Sequence, residues 1–350
     1  MRTVALEEHY ASPGFFDGPG RELKDQALKF GGPAAKLLEQ LVEVGDMRIA
    51  EMDAAGIDMQ VLSLTSPGTE QLGAADAAAV ARMANDFLAD AVKKNPARLA
   101  GFAALPTAAP EKAALELDRM VHRHDFKGAL INGHSRGRYL DDKFFWPIFE
   151  AAEALNTPIY LHPTQPPKPV IGASYGGFLP IVTDMLAGAA WGWHIETAIH
   201  VIRLILGGVF DRFRKIQIVI GHMGETLPFM MERLDVMPVA MTRLNRTISS
   251  YLAENVHYTF SGFNFLPAFL NLMLQVGIDR IMFSTDFPYA SMTRARAFLD
   301  GLPLSSTDKA KIAHRNAERL LGLQNIAERS VPDGSIDRAG AGEMAGPGVH

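Results

Sequence analysis

The sequence predicts an α/β fold, a closed (β/α)8 barrel followed by a C-terminal tail. Eight short apolar runs of strand-forming residues alternate with stretches of helical periodicity, the pattern of a parallel sheet. No strong linker divides them, and eight repeats in one domain favour a closed barrel over an open doubly wound sheet. Several runs end in histidine or a carboxylate, and in such barrels the strand ends carry the active site. A two-domain Rossmann arrangement is the runner-up, but no G-x-G-x-x-G follows a strand.

The first strand is Thr3-Val4-Ala5-Leu6-Glu7-Glu8-His9. Strand side chains alternate faces, so Glu7 and His9 share one and Glu8 takes the other. A Gly/Pro-containing loop runs from Ala11 to about Pro33, and Ala34 to about Ala55 reads as one helix. Met59–Leu64 is strand two. Ala74–Lys94 is an alanine-rich helix closed by Asn95-Pro96. Leu99–Leu105 is strand three. A helix from Pro110 to about His122 starts on a proline, whose missing N–H costs nothing there. Gly128–Asn132 is strand four, Phe144–Leu155 a helix, and Thr157–His162 strand five. Pro163 to about Gly177 is irregular, rich in Pro and Gly, and too long for a plain connection, so it reads as a lid or wall. Helical pattern is clearest from His194 to Leu206. Lys215–His222 is strand six, with Glu225 opening the next helix. Val256–Ser261 is strand seven, Pro267–Val276 a helix, Arg280–Asp286 strand eight, and Ser306–Leu321 the closing helix. Residues 1–323 therefore form the barrel domain. Gln324–His350, with few large apolar residues, reads as a flexible or docked tail.

Composition narrows the function classes. The chain of 350 residues is 48% hydrophobic and 21% charged, as in a soluble globular protein. A net charge of -5 gives no reason to expect nucleic acid. There is no signal peptide pattern and no apolar run of the roughly 20 residues that cross a bilayer, so the expected compartment is the cytoplasm. Cysteine is absent, so a metal ion would be held by His and carboxylates.

The strand ends offer Glu7 and His9, Asn132, His162, His222 and Asp286. Glu7, His9, His162 and Asp286 form a candidate metal-ligand set, whose nitrogen and oxygen donors suit zinc, manganese or iron(II) better than calcium or magnesium. His222 and Glu225, three residues apart at a strand-to-helix turn, read as a general acid/base pair, because a carboxylate beside an imidazole favours the protonated ring. A fifth ligand or a structural strand-end hydrogen bond is the plainer alternative. Trp191-Gly192-Trp193 can wall an aromatic ligand, although tryptophan more often fills a core. Arg233 reads as a solvated helix residue or as a carboxylate clamp, with Arg136 and Arg138 weaker candidates. His257 starts its strand and belongs to the opposite, stability face. His122, His124 and His314 read as solvated, and His194 and His200 as structural partners within their helix.

Ala5-Leu6-Glu7-Glu8-His9, Tyr160-Leu161-His162-Pro163, Glu196-Thr197-Ala198, Ile220-Gly221-His222-Met223-Gly224-Glu225 and Phe283-Ser284-Thr285-Asp286-Phe287-Pro288 together resemble the metal-dependent amidohydrolase superfamily. The chain is most similar to its branch containing aminocarboxymuconate semialdehyde decarboxylase and γ-resorcylate (2,6-dihydroxybenzoate) decarboxylase, from Val4 to about Leu323. Many superfamily members open with His-x-His, whereas Glu7 stands at the first position here, as in the hydroxybenzoate decarboxylases. Asn132 stands near the point where others place a bridging lysine. The resemblance implies a TIM-like barrel of the metal-dependent hydrolase type and a mononuclear site of Mn2+ or Zn2+. It implies metal binding by Glu7, His9, His162 and Asp286, catalytic roles for His222 and Glu225, and substrate contacts from Asn132, Trp193, Arg233 and Tyr289. Asp286, at the edge of the ligand set, also reads as the catalytic acid that delivers a proton to carbon. The arginine matching Arg233 reaches a neighbouring subunit's site in that branch, which implies a homodimer or homotetramer.

The expected activity is nonoxidative decarboxylation of a hydroxylated aromatic carboxylic acid. Direct loss of carbon dioxide would leave an aryl carbanion, so protonation of the ring carbon comes first. The alternative on the same barrel is a mononuclear hydrolase of a lactone or amide. Against it stands Glu7, whose charge weakens a bound ion as a Lewis acid. A non-catalytic scaffold is the third class, and fold alone does not exclude it.

Overall fold

The computed structural model describes residues 1–323, so the tail expected at 324–350 lies outside the described residues. Eight parallel strands form the centre. They are β1 (Val4–Tyr10), β2 (Met59–Leu64), β3 (Leu99–Gly101 and Ala103–Ala104, interrupted at Phe102), β4 (Ala129–Asn132), β5 (Ile159–His162), β6 (Ile218–Ile220), β7 (Val256–Thr259) and β8 (Ile281–Met282). Neighbours in sequence are neighbours in space throughout. The circle closes where Leu6 bridges Ser284 and its N–H donates to the Phe283 carbonyl at 3.1 Å.

Two apolar layers result. Val4, Leu6, Val61, Ala100, Phe102, Leu130, Tyr160, Val219 and Met282 fill the barrel lumen. Ala5, Tyr10, Leu62, Ile131, Leu161 and Ile220 face the helices instead. The period of two along each strand sorts these sets, with one exception that shapes the site. Between Ala5 and Glu8 β1 carries one residue more than β2, because Ala5 pairs with Gln60 and Glu8 with Leu62. Glu7 sits at the bulge with φ 63. Leu6 and Glu7 thus both turn inward, a bulge's usual effect on side-chain direction. Strict alternation after Leu6 would have put Glu8 in the lumen and sent Glu7 and His9 outside.

The helical layer differs from the sequence expectation in a few places. The Ala11–Pro33 loop contains a 3-10 turn, Pro13–Asp17, and a helix, Arg21–Phe30. The single helix expected over Ala34–Ala55 is two, Pro33–Val42 and Asp46–Ala55. Arg48 explains the break: its guanidinium donates to the carbonyls of Gln40 at 2.9 Å and Glu43 at 2.8 Å, satisfying groups a continuing helix would have used. The strand predicted over Lys215–His222 keeps its ladder only at Ile218–Ile220. Beyond it the chain enters five successive residues with positive φ, His222 to Thr226, so Glu225 lies in a turn and the helix begins at Leu227. Within the expected irregular segment, Lys168–Val170 and Ile171–Tyr175 form short helical turns. No single helix among the described residues is long and apolar enough to cross a bilayer.

Candidate active site

The C-terminal strand ends gather the predicted polar residues at one mouth of the barrel. Glu7 is fully buried and uses its two oxygens differently. Oε2 accepts hydrogen bonds from the Tyr160 and Ser261 hydroxyls, which rise from β5 and the end of β7. Those hydroxyls are themselves linked, with Thr259 Oγ1 2.7 Å from each. Oε1 has no hydrogen-bond partner and lies 3.4 Å from His162 Nε2 and 3.7 Å from His222 Nε2. Gly221 makes the fit possible, because a Cβ there would strike the Glu7 carboxylate. Burial drives the Glu7 carboxyl above its ordinary range, against the downward pull of His222.

His9 and His162 complete the inner group. Their rings meet edge to face at 4.8 Å, and ligand atoms of Glu7, His9 and His162 lie within 4.8 Å of one another. Asp286, at φ 64 past the end of β8, places Oδ1 3.2 Å from His9 Nε2. Burial, with His9 and His222 nearby, pushes the His162 ring well below its usual pKa, so it stays neutral with a lone pair to give. The chain's donors fit a divalent cation. Glu7 Oε1, both His9 nitrogens and His162 Nδ1 are buried without hydrogen-bond partners, and Glu7, His9 and His162 can each turn one ligand atom to a shared ion. A bare carboxylate oxygen and bare imidazole lone pairs are costly unless a cation engages them.

A second group adjoins the first. His222 Nδ1 lies 2.7 Å from Glu225 Oε1, and the other Glu225 oxygen lies 2.6 Å from His194 Nδ1. Burial works against a charged His222, but Glu225 and Glu7 outweigh it and push the ring up to about 10. Glu225 falls below its usual range, since His222 and His194 overcome the opposing effect of burial. Left-handed backbone costs a non-glycine residue on the order of 1–2 kcal/mol. The run at His222–Thr226 therefore needs such holds, and backbone of this kind concentrates at functional sites.

His194 has a structural partner, as expected, but takes it from outside its helix. It caps Glu225 across the barrel mouth, with Phe263 against both imidazoles at 5.0 and 5.5 Å. Trp193 precedes it at the start of helix Gly192–Leu206, its indole nitrogen buried and unpartnered. Asn132 pairs in register with His162 at the ends of β4 and β5. Its backbone N–H donates to Glu70 at 3.0 Å, a buried carboxylate pushed by desolvation up to about 7 that the sequence reading did not single out. Tyr289 stands over His9 at 5.5 Å, its hydroxyl 2.6 Å from Thr65 Oγ1. Arg233 is exposed on helix Leu227–Leu234 and does not join the cluster within its own chain. His257 lies at the opposite end of the barrel, against Gln217 and Arg280.

Comparison with known proteins fits this arrangement. The amidohydrolase family model matches residues 39–323. The chain is 37% identical to gamma-resorcylate decarboxylase of a Rhizobium species, over 91% of this chain and 98% of that one. The solved structure of 2,6-dihydroxybenzoate decarboxylase complexed with 2,6-dihydroxybenzoate superposes with a TM-score of 0.82 at 35% identity, covering 92% and 100% of the two chains. That of 5-carboxyvanillate decarboxylase from Novosphingobium aromaticivorans, complexed with manganese and 4-hydroxy-3-methoxy-5-nitrobenzoic acid, gives 0.84 at 37%, covering 92% and 96%. With its barrel closed in the same way and most of its length matched, the chain belongs to the amidohydrolase family.

Proposed function

We propose that the protein is a metal-dependent nonoxidative decarboxylase of a hydroxylated aromatic carboxylic acid, of the γ-resorcylate or dihydroxybenzoate type. The observation that carries this is the buried, unpartnered donor set of Glu7, His9 and His162, with Asp286 beside it, in a chain similar over most of its length to decarboxylases of such acids. One divalent ion per chain, manganese or zinc, is assigned to Glu7, His9, His162 and Asp286. Held there, the ion would supply positive charge that attracts and orients an anionic substrate.

Asp286 is assigned the proton that goes to the carboxyl-bearing carbon. The carbon–carbon bond then breaks, its electron pair restores the aromatic ring, and carbon dioxide leaves. Solvent resupplies the proton. His222, kept cationic by Glu225, holds the phenol oxygen and manages its proton. Asn132, Trp193 and Tyr289 are assigned to the ring. The cytoplasm remains the proposed compartment.

Purified protein loaded with Mn2+ is expected to consume one or more mono- or dihydroxybenzoates in an ultraviolet screen, with release of carbon dioxide. In D2O the product gains one deuterium at the carbon that lost the carboxyl group. A lactone or amide consumed with neither carbon dioxide nor ring deuterium establishes the hydrolase instead, since hydrolysis makes no new C–H bond.

Arg233 is proposed to serve a neighbouring subunit's site in a homodimer or homotetramer. Supporting this, its helix and the segment after it expose Phe229, Val236 and Met241 at 77%, 61% and 73%, apolar surface of the kind that marks interfaces. Arg233→Ala is expected to raise KM by removing a carboxylate clamp. At substrate concentrations too low for either variant alone to turn over, mixed oligomers of His222→Asn and Arg233→Ala chains are expected to regain activity, because one site receives both intact residues. Verified mixed oligomers that stay inactive would place Arg233 outside any shared site.

A further inference from the structure

We propose that Glu8 is a positioning residue that sets His9 and Asp286 at metal-binding geometry from the outer side of the barrel wall. The inference rests on the ligand set proposed above. The bulge at Glu7 sends Glu8 away from the lumen into the layer between barrel and helices, where it is fully buried. A carboxylate offers about four acceptor positions, and four donors surround this one. Oε1 accepts from the Thr285 N–H at 2.7 Å. Oε2 accepts from the Thr285 hydroxyl at 2.6 Å, the Phe287 N–H at 3.3 Å and the Gln60 amide at 3.3 Å. The two backbone donors flank Asp286, the residue held at φ 64. Backbone in that region persists where its surroundings over-determine it, and Glu8 grips it from both sides.

The same network reaches His9. Gln60 turns its amide nitrogen to Glu8 and its oxygen to Arg48 Nη1, at 3.2 Å. Arg48 Nη2 donates to the His9 carbonyl at 2.7 Å, and the His9 N–H donates to the Phe287 carbonyl at 2.7 Å. Residues 9 and 287 thus belong to one closed ring of hydrogen bonds, to which Thr285 is tied by two bonds to Glu8, and none of Glu8, Gln60, Arg48 or Thr285 is more than 1% exposed. Arg48 ties that ring to the carbonyls of Gln40 and Glu43 in the helical layer. Glu8 does not itself face the lumen, so its effect passes through the ligands it holds.

Glu8→Gln keeps the shape and one acceptor oxygen but turns an amide NH2 toward donors. Mn2+ affinity, measured by counting free Mn2+ with electron paramagnetic resonance, is expected to fall about 10–100-fold, the usual cost of losing an outer-shell partner. Thr285→Val, which removes one hydroxyl bond to Glu8 and buries no new polar group, is expected to weaken binding in the same direction, and Thr285→Ser to restore it. A merely structural Glu8 lowers the melting temperature and leaves the Mn2+ affinity of folded protein unchanged. Unchanged affinity in Glu8→Gln, or in Thr285→Val if Glu8→Gln does not fold, overturns the proposal, provided His162→Ala loses the ion. If His162→Ala binds Mn2+ like the wild type, the ligand set itself is wrong.

Discussion

Asp286→Asn is expected to lower decarboxylation by about 10²–10⁴-fold, the loss typical of removing a general acid, or about 2.7–5.5 kcal/mol in the barrier. The substitution separates two assignments. Asparagine keeps an oxygen where Asp286 Oδ1 now stands 3.2 Å from His9 Nε2, so part of the metal affinity survives. It has no acidic proton for carbon. The fall therefore appears in kcat measured at saturating metal, with a smaller change in KM, as expected when an interaction is needed only in the transition state. A kcat within a few-fold of wild type in fully metal-loaded protein would move the proton donor elsewhere, with His222 the next candidate.

His162→Ala is expected to strip the ion. The ring it removes is held neutral by burial and by neighbouring histidines, the form a metal binds. Loss of a direct nitrogen donor should cost at least the roughly 10–100-fold in affinity that follows loss of an outer-shell partner. Thermal unfolding offers a second readout. A ligand at about 100 times its dissociation constant stabilises the native state by about 2.7 kcal/mol, so wild type melts higher with Mn2+ added while His162→Ala does not respond. Elemental analysis giving one metal per chain in the variant, equal to wild type, would remove His162 from the ligand set.

Much of the site could be read from the chain because a barrel strand ends where its apolar alternation ends. Glu7, His9, His162, His222 and Asp286 each close such a run, and closure of the sheet does the rest. What escaped notice depends on contacts between distant segments. His194 and Glu225 are 31 residues apart, and they meet only because the first turn of helix Gly192–Leu206 reaches the turn that follows β6. Nothing in the helical periodicity of His194 sets it apart from His200, whose ring instead accepts the Leu140 N–H at 2.9 Å. Glu70 is hidden for a similar reason, since its partner Asn132 lies 62 residues on. The helix break before Asp46 also needs an arginine to fold back onto carbonyls five and eight residues earlier.

The bulge in β1 bears on how such a centre can be moved between scaffolds. Grafting the peptide Ala5–His9 onto an ordinary, evenly pleated strand would produce an inverted centre. Glu8 would occupy the lumen, while the intended Glu7 and His9 would be buried among helices. The transferable unit is the kink together with the Tyr160 and Ser261 hydroxyls that receive the carboxylate it delivers. A five-letter pattern search is accordingly a poor detector of this chemistry: the same letters encode opposite interiors, depending on one backbone angle that the letters do not record.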